Sequence, residues 1–271
     1  IITEQYLVAD ALCDLNDDGT PDNSFSRLDN DNLRSLVDWA IFWQLSSSSG
    51  VITIDPSLIT DPVTPNDPGF NAAFIGATDT DGDYSDNASG TEEVQGLPQH
   101  FMGVTPLYYT NTIVDNGALT MNFTNPVTIP VDAVAGFSLD MHGIRISGTL
   151  TPNLTQLNDG IFCTYVTAQH LAALPYPDAT MGDRSVLEVF MEPGAGTGFP
   201  VDGAQPDLDL DDDGLERIAT DESTGQILSC TDGDGTIIDG RDCVENPAIQ
   251  DGFSFVTRFT AVQGLVRPPS P

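Results

Sequence analysis

The segment GIRISGTL, residues 143–150, alternates apolar and polar side chains along its length. Ile144 and Ile146 fall on one side of an extended chain, and Arg145 and Ser147 fall on the other, because successive side chains of a strand point to opposite faces. A period of two residues is typical of a half-buried strand, with one face toward a core and the other toward solvent. This segment therefore predicts a fold built on β-sheet.

Further segments along the chain are short, rich in β-branched and aromatic residues, and bounded by Gly, Pro, Asn or Asp. They are VITID (51–55), FNAAFIGA (70–77), LYYTNTIV (107–114), ALTMNFT (118–124), VTIPV (127–131), GFSLDM (136–141) and GFSFVTRFTAVQGLV (252–266). The triplet Asp115-Asn116-Gly117 separates two of them and predicts a hairpin turn. The pattern predicts a mainly β fold, a β-sandwich or jelly-roll-like body, in a single domain over residues 1–271.

A helix is predicted near the start of the chain. Apolar residues between Leu33 and Leu45 recur at helical spacing, with Asp29 or Asn30 as the N-cap. We therefore expect an N-terminal calcium loop plus helix over about residues 14–45.

Three later segments complete the predicted organisation. Residues 166–174 predict a short helix ended by Pro175, and residues 185–191 fit either a strand or a helix. An acidic loop insertion is expected at about residues 202–245. The closing segment, 252–266, is predicted to form one long strand or two.

The chain is strongly acidic, with 41 Asp and Glu against 8 basic residues and a formal net charge of −33. Asp outnumbers Glu by 33 to 8, and Asp is the residue of metal loops and turns. Such a chain should repel nucleic acid and anionic membrane surfaces. The acids are partly clustered, which favours specific cation binding, while the scattered remainder also fits an adaptation to high salt.

Cysteine usage indicates the compartment. The chain has four cysteines, none in a CxxC pair and none near a His at zinc spacing, so a zinc site is not expected. An even number in an acidic chain favours disulfides and an oxidising compartment. Of the three possible pairings we favour Cys230–Cys243, which would clip one acidic loop, and hence Cys13–Cys163. No apolar run reaches the length of a transmembrane helix, and because the chain opens without Met we expect an export signal to have been removed.

The stretch CDLNDDGTPDN, residues 13–23, places oxygen-bearing side chains at alternate positions, with Gly19 where a calcium loop needs a tight turn. Its twelfth loop position is Phe25, where an EF-hand has a bidentate Glu, so a remote acid or water must complete the shell. The predicted ligands of this first acidic loop are Asp14, Asn16, Asp18, Thr20 through its carbonyl, and Asp22.

Three more acidic loops have a similar spacing. The third repeats the alternation before Gly214, the second has a displaced Gly, and the fourth lies between Cys230 and Cys243. We predict structural calcium, two to four ions, rather than magnesium, which prefers to keep its waters. The further predicted ligands are Asp79, Asp81, Asp83 and Asp86 in the second loop, Asp209, Asp211, Asp213 and Glu216 in the third, and Asp232, Asp234, Asp239 and Asp242 in the fourth.

The first loop resembles the calcium loops of dockerin modules and thrombospondin type 3 repeats, and this resemblance covers ligand chemistry only. The broader layout, in which a DxNxDGxPDN start leads to a helix, then β segments and a closing strand, resembles uncharacterised exported bacterial surface proteins. That resemblance implies a bacterial exported protein and transfers no catalytic residue.

No catalytic motif stands out. Asp140 and His142 share one strand face, but the sequence has no GxSxG elbow, phosphate loop, dinucleotide fingerprint or basic patch. A lone Asp–His pair is more often structural than catalytic, so we do not expect an enzyme.

These features together predict an extracellular, calcium-stabilised structural protein, a subunit of a surface filament, layer or other assembly. We expect self-association through the termini, with the IITEQY start and the tail Arg267–Pro271 docking on a neighbouring subunit, and possible partners among other surface proteins or glycans. A carbohydrate-binding or adhesin module is the first alternative, with Trp43, Tyr108 or Tyr109 on a shallow face. A secreted hydrolase using His142 or paired carboxylates is the second.

Overall fold

Within the residues that it describes, the computed structural model has fourteen strands, two short α-helices and one 3-10 helix. The strands are β1 Ile2–Leu7, β2 Ser49–Ile54, β3 Asp67–Asp79, β4 Glu93–Gly96, β5 Leu107–Asp115, β6 Ala118–Asn122, β7 Val127–Val131, β8 Phe137–Leu150, β9 Gln156–Thr167, β10 Arg217–Thr220, β11 Ile227–Thr231, β12 Ile237–Asp239, β13 Gly252–Val262 and β14 Leu265–Arg267. The helices are α1 Ala168–Ala173, α2 Val186–Met191 and the 3-10 helix Arg241–Glu245. The structure describes residues 2–7, 13–15, 49–54, 67–79, 93–96, 107–122, 126–131, 137–153, 155–176, 184–191, 205–221, 223–262 and 265–267.

Eleven strands form one large sheet in the order β1-β13-β9-β8-β6-β5-β3-β4-β14, with β2 paired to β3 and β7 paired to β8. All neighbours are antiparallel except β14 and β4. The remaining three strands form a small antiparallel sheet in the order β10-β11-β12. The prediction of a mainly β fold with one or two short helices is confirmed.

The large sheet curves back on itself. β13 lies next to one end of the strand order and β14 is the other end, yet only two residues separate Val262 from Leu265. Three Cα–Cα steps span at most about 11 Å, so the two ends of the sheet lie close together.

The hairpins form where the sequence indicated. Asn116 and Gly117 have φ of 49° and 84° between β5 and β6, the left-handed pair that a two-residue hairpin turn needs. In β8, Ile144 and Ile146 are 1% exposed, and the alternating residues Arg145 and Ser147 are half-buried, as the alternation predicted.

One strand prediction needs correction, and one open alternative is settled. GFSLDM (136–141) and GIRISGTL (143–150) are parts of one strand, β8, because Gly143 at φ 56° continues the chain through an irregular register beside Tyr165. The closing segment, left open between one strand and two, forms two strands, β13 and β14.

The helices settle two further predictions. The short helix predicted at 166–174 is α1, capped by Thr167, whose hydroxyl accepts a hydrogen bond from the His170 amide. The ambiguous segment 185–191 forms α2, which begins with a capping box. The Ser185 hydroxyl accepts from the Glu188 amide, and the Glu188 carboxylate accepts from the Ser185 amide at 2.9 Å.

A shared apolar core joins the small sheet to the helices and to the end of the large sheet. Its buried members are Val166, Ala168, Leu171, Val186, Leu187, Met191, Ile218, Ile227, Cys230, Cys243, Val244, Ile249 and Phe253. The acidic insertion predicted at about 202–245 therefore contains an ordered sheet packed on the body of the protein. The predicted helix between residues 33 and 45 lies outside the described residues.

Both predicted disulfides are present, Cys13–Cys163 and Cys230–Cys243. The first ties the segment Cys13–Leu15 to β9, and the second ties β11 to the 3-10 helix. No helix in the described residues is long and apolar enough to cross a membrane.

Replacing Leu187 by Ala should lower the free energy of unfolding by about 2–5 kcal/mol, because Leu187 is fully buried and its truncation leaves a cavity. Urea denaturation checks this, with Leu228→Ala as the control, since Leu228 is 52% exposed. Equal losses in the two variants would contradict the described core.

Candidate metal centre

The third acidic loop is anchored at both ends to backbone. An antiparallel bridge pairs Leu208 with Gly252, with the Gly252 amide donating to the Leu208 carbonyl at 3.0 Å. Within the loop, the Asp209 carboxylate accepts hydrogen bonds from the amides of Asp212 (2.8 Å) and Gly214 (2.9 Å). Asp212 and Gly214 have positive φ, 63° and 108°, which the tight turn requires. Asp209 therefore fixes the loop's shape.

Glu216 and Asp251 lie beside this loop, and the carboxylate of each accepts a hydrogen bond from the backbone amide of the other. The Glu216 carboxylate accepts from the amides of Gln250 (2.8 Å) and Asp251 (2.7 Å). The Asp251 carboxylate accepts from the amides of Leu210 (3.2 Å) and Glu216 (2.8 Å). Both side chains are 0% exposed. This reciprocal pair is rigid, because each carboxylate is held by two backbone amides.

These carboxylates converge with the loop acids in two overlapping groups. In one, ligand atoms of Asp209, Asp211 and Asp251 all lie within 4.8 Å of one another. In the other group, ligand atoms of Asp211, Asp213 and Glu216 also lie within 4.8 Å of one another. Asp211 belongs to both, and its Oδ1 atom is buried without a hydrogen-bond partner. A buried polar atom is costly without a partner, and a cation between these carboxylates would supply one.

The electrostatics of the cluster also favour a bound cation. Burial raises the pKa of Glu216 to about 7 and that of Asp251 to about 6, and nearby acids, Asp211 among them, add to both shifts. Desolvation and contact with the Asp211 carboxylate raise the pKa of Asp213. Two carboxylates in contact repel each other unless a proton or a cation lies between them.

Glu188 is a buried carboxylate of the same fold that has a basic partner, and its pKa shifts in the opposite direction. It is 1% exposed, and its carboxylate accepts a hydrogen bond from the Arg241 guanidinium at 2.6 Å. Burial alone would raise the pKa of Glu188, but the hydrogen bonds from Ser185 and Arg241 outweigh it and lower the pKa. Among the described residues, the ion pairs are Arg241–Glu188 and His170–Asp140, so no basic side chain neutralises Glu216 or Asp251.

The cluster lies where the two sheets join. Glu216 directly precedes β10, the first strand of the small sheet, and Asp251 directly precedes β13 of the large sheet. The hydrogen bonds between these two residues therefore connect the starts of the two strands. A cation bound here would tie the small sheet to the body of the protein.

The first and second predicted loops are described only in part. Asp14 is described, and its carbonyl accepts a hydrogen bond from Arg145 at 2.5 Å. Asp79 is described as backbone at the end of β3. The other predicted ligands of these loops lie outside the described residues, and their role stays a prediction: Asn16, Asp18, Thr20, Asp22, Asp81, Asp83 and Asp86.

The fourth predicted loop is divided between two environments. Asp232 and Asp234 lie at the tip of the β11–β12 hairpin, where the Asp232 carboxylate accepts from the Thr236 amide at 2.6 Å. Asp234 acts electrostatically on Asp213 of the third loop. Asp239 and Asp242 are exposed on β12 and the 3-10 helix, and neither belongs to the two converging groups found among the described residues.

Sequence reasoning missed Asp251. It lies 35 residues after Glu216, outside any loop pattern, and directly before a strand. The nearer acid Asp221, just beyond the loop, is engaged elsewhere, because its carboxylate caps the turn formed by Ser223 and Thr224. Only the bridge between Leu208 and Gly252, which pairs the third loop with the start of β13, identifies Asp251 as a candidate ligand.

The two described histidines, His142 and His170, take part in local packing. His170 Nε2 accepts a hydrogen bond from the Asp140 amide at 3.1 Å, and its Nδ1 lies 3.7 Å from the Asp140 carboxylate. His142 stacks on Tyr165 with ring centroids 5.3 Å apart, and burial lowers the pKa of His142.

The aromatic residues named for a carbohydrate-binding face lie outside what the structure describes, since the side chains of Tyr108 and Tyr109 and all of Trp43 are not described.

Comparisons with models of protein families, with curated proteins and with solved structures find no match to this chain.

With divalent cations chelated, the free energy of unfolding should fall as the pH rises from about 5 to about 8. Folding raises the pKa of Glu216 and Asp251 to about 7 and about 6, so stability that is present while both are protonated is lost as they ionise. Urea denaturation across this pH range checks the slope. The free energy of unfolding of Glu216→Gln should fall less steeply with pH than that of the parent chain. The exposed Asp239→Asn serves as the control, and equal slopes for Glu216→Gln and the parent would contradict this electrostatic account.

Proposed function

We propose that this chain is an extracellular structural protein whose fold is stabilised by calcium and which serves as a subunit of a surface assembly. One observation supports it above the others: two fully buried carboxylates, Glu216 and Asp251, converge with three loop aspartates, and no basic side chain among the described residues pairs with them. Leaving such charges uncompensated is expensive, and a bound cation removes the cost.

The donor set favours calcium among the common cations. All its ligand atoms are oxygens, as hard cations prefer, and they come from several carboxylates in irregular loops, Asp209, Asp211, Asp213, Glu216 and Asp251. Calcium accepts six to eight oxygens in flexible geometry, whereas magnesium demands a small octahedral shell and keeps several waters.

The position of the site supports a structural role for the ion. It lies at the joint between the two sheets, where each buried carboxylate is already held by two backbone amides. A cation here stabilises the folded state and not the unfolded one, so folding becomes linked to external calcium. The two disulfides indicate an oxidising compartment, which supports an extracellular location.

An assembly is supported by charge and by exposed apolar side chains. With a net charge of −33, free copies repel one another, and bound calcium weakens that repulsion. Leu228 and Ile237 of the small sheet are 52% and 66% exposed, which supplies apolar surface for contact with a second copy.

Asp211→Asn tests the site, because the Asp211 carboxylate belongs to both groups and its buried Oδ1 has no hydrogen bond to lose. In chelator the variant should melt higher than the parent, since repulsion among the acids falls. In calcium it should melt lower, since a ligand is gone. The parent should gain roughly 5–10 °C in calcium when free calcium is about 100 times Kd.

Asp239→Asn, which removes an exposed acid away from the groups, is the matched control and should respond to calcium as the parent does. Sodium chloride at equal ionic strength separates specific binding from screening. A parent melting temperature that sodium chloride raises as much as calcium does would contradict the calcium site.

The assembly is tested separately by sedimentation velocity at high protein concentration. Particles should be larger than one chain in calcium and should dissociate in chelator, because loss of the ion restores repulsion and loosens the joint between the sheets. A single-chain mass in both buffers would contradict the assembly and leave the calcium site standing.

A further inference from the structure

The tip of the β11–β12 hairpin, residues Asp232–Gly235, is a tight turn held by its first residue. The Asp232 carbonyl accepts from the Gly235 amide at 2.9 Å, and the Asp232 carboxylate accepts from the Thr236 amide at 2.6 Å. The base of the hairpin is fixed in turn, because Cys230 on β11 is bonded to Cys243. The tip therefore has a defined position.

That tip presses its backbone against the third acidic loop. A Cβ atom placed on Gly233 would overlap the Asp213 carboxylate, and would lie 2.5 Å from the Gly214 carbonyl oxygen and 2.6 Å from Asp213 Cγ. From the other side, a Cβ on Gly214 would lie 3.2 Å from the Gly233 carbonyl oxygen. No side chain fits at position 233 while Asp213 keeps its place.

We propose that this hairpin tip is the closing wall of the cation site and that Gly233 is its positioning residue. The inference rests on the proposed function, because it assigns a wall to the same site. Asp213 belongs to the group with Asp211 and Glu216, and it stays in that group only because Gly233 leaves room for its carboxylate.

The contact has a consequence for the hairpin itself. If the bound cation holds Asp213 against the tip, the ion and the tip stabilise each other, since linkage is reciprocal. Asp234 at the tip acts electrostatically on Asp213, so it adds negative charge to this side of the site. The fourth acidic loop thereby contributes to the site of the third.

The test is calcium titration by calorimetry on the full chain, comparing Gly233→Ala with the parent. Displacing Asp213 should weaken calcium binding at least about tenfold, the effect typical of losing a residue that orients a metal ligand. Gly235→Ala is the matched control on the same turn: position 235 has φ of 84° and nothing within 4 Å, so this variant strains the turn without touching Asp213. It should melt lower than the parent in calcium and in chelator alike, with a nearly unchanged calcium affinity.

A second measurement needs no variant. In the parent chain, hydrogen exchange at the Gly235 and Thr236 amides should slow when calcium is added, because the bound ion locks the tip. If the parent binds calcium but these amides exchange at an unchanged rate, or if Gly233→Ala binds as tightly as the parent, the inference is overturned and the calcium site survives. If the parent binds no calcium, the proposed function fails and the inference fails with it.

Discussion

The structure depends on how a very acidic chain buries negative charge where its two sheets meet. Glu216 and Asp251 are fully buried, and the carboxylate of each accepts a hydrogen bond from the backbone amide of the other. Amides orient the carboxylates but do not neutralise them, so the raised pKa of each reports an unfavourable charge. A bound cation would offset this charge, and at this position it would also join β10 to β13.

Glu188 provides an internal comparison for the buried carboxylates Glu216 and Asp251. The same fold buries a third carboxylate, pairs it with Arg241, and thereby lowers its pKa. With only 8 Arg in the chain and no Lys, basic side chains are scarce, and inorganic cations are the available alternative. Under the proposed function, folding would then depend on the external supply of calcium.

Local features of this protein were predictable from sequence, and distant ones were not. The hairpin at Asn116-Gly117 and the burial of Ile144 and Ile146 follow from neighbouring residues alone. The position of Asp251 beside the third loop depends on the bridge between Leu208 and Gly252, which brings together segments separated by more than forty residues. The contact of Gly233 with Asp213 likewise exists only because two acidic loops, read separately in the sequence, pack against each other.

The most direct measurement is a crystal structure grown with calcium, with an anomalous difference map calculated around Asp211. A peak there, with six to eight oxygen ligands at about 2.3–2.6 Å that include Asp211 and either buried carboxylate, is what this account predicts. A map without a peak, in which the Asp211 and Asp213 carboxylates turn away from each other into solvent, would contradict it.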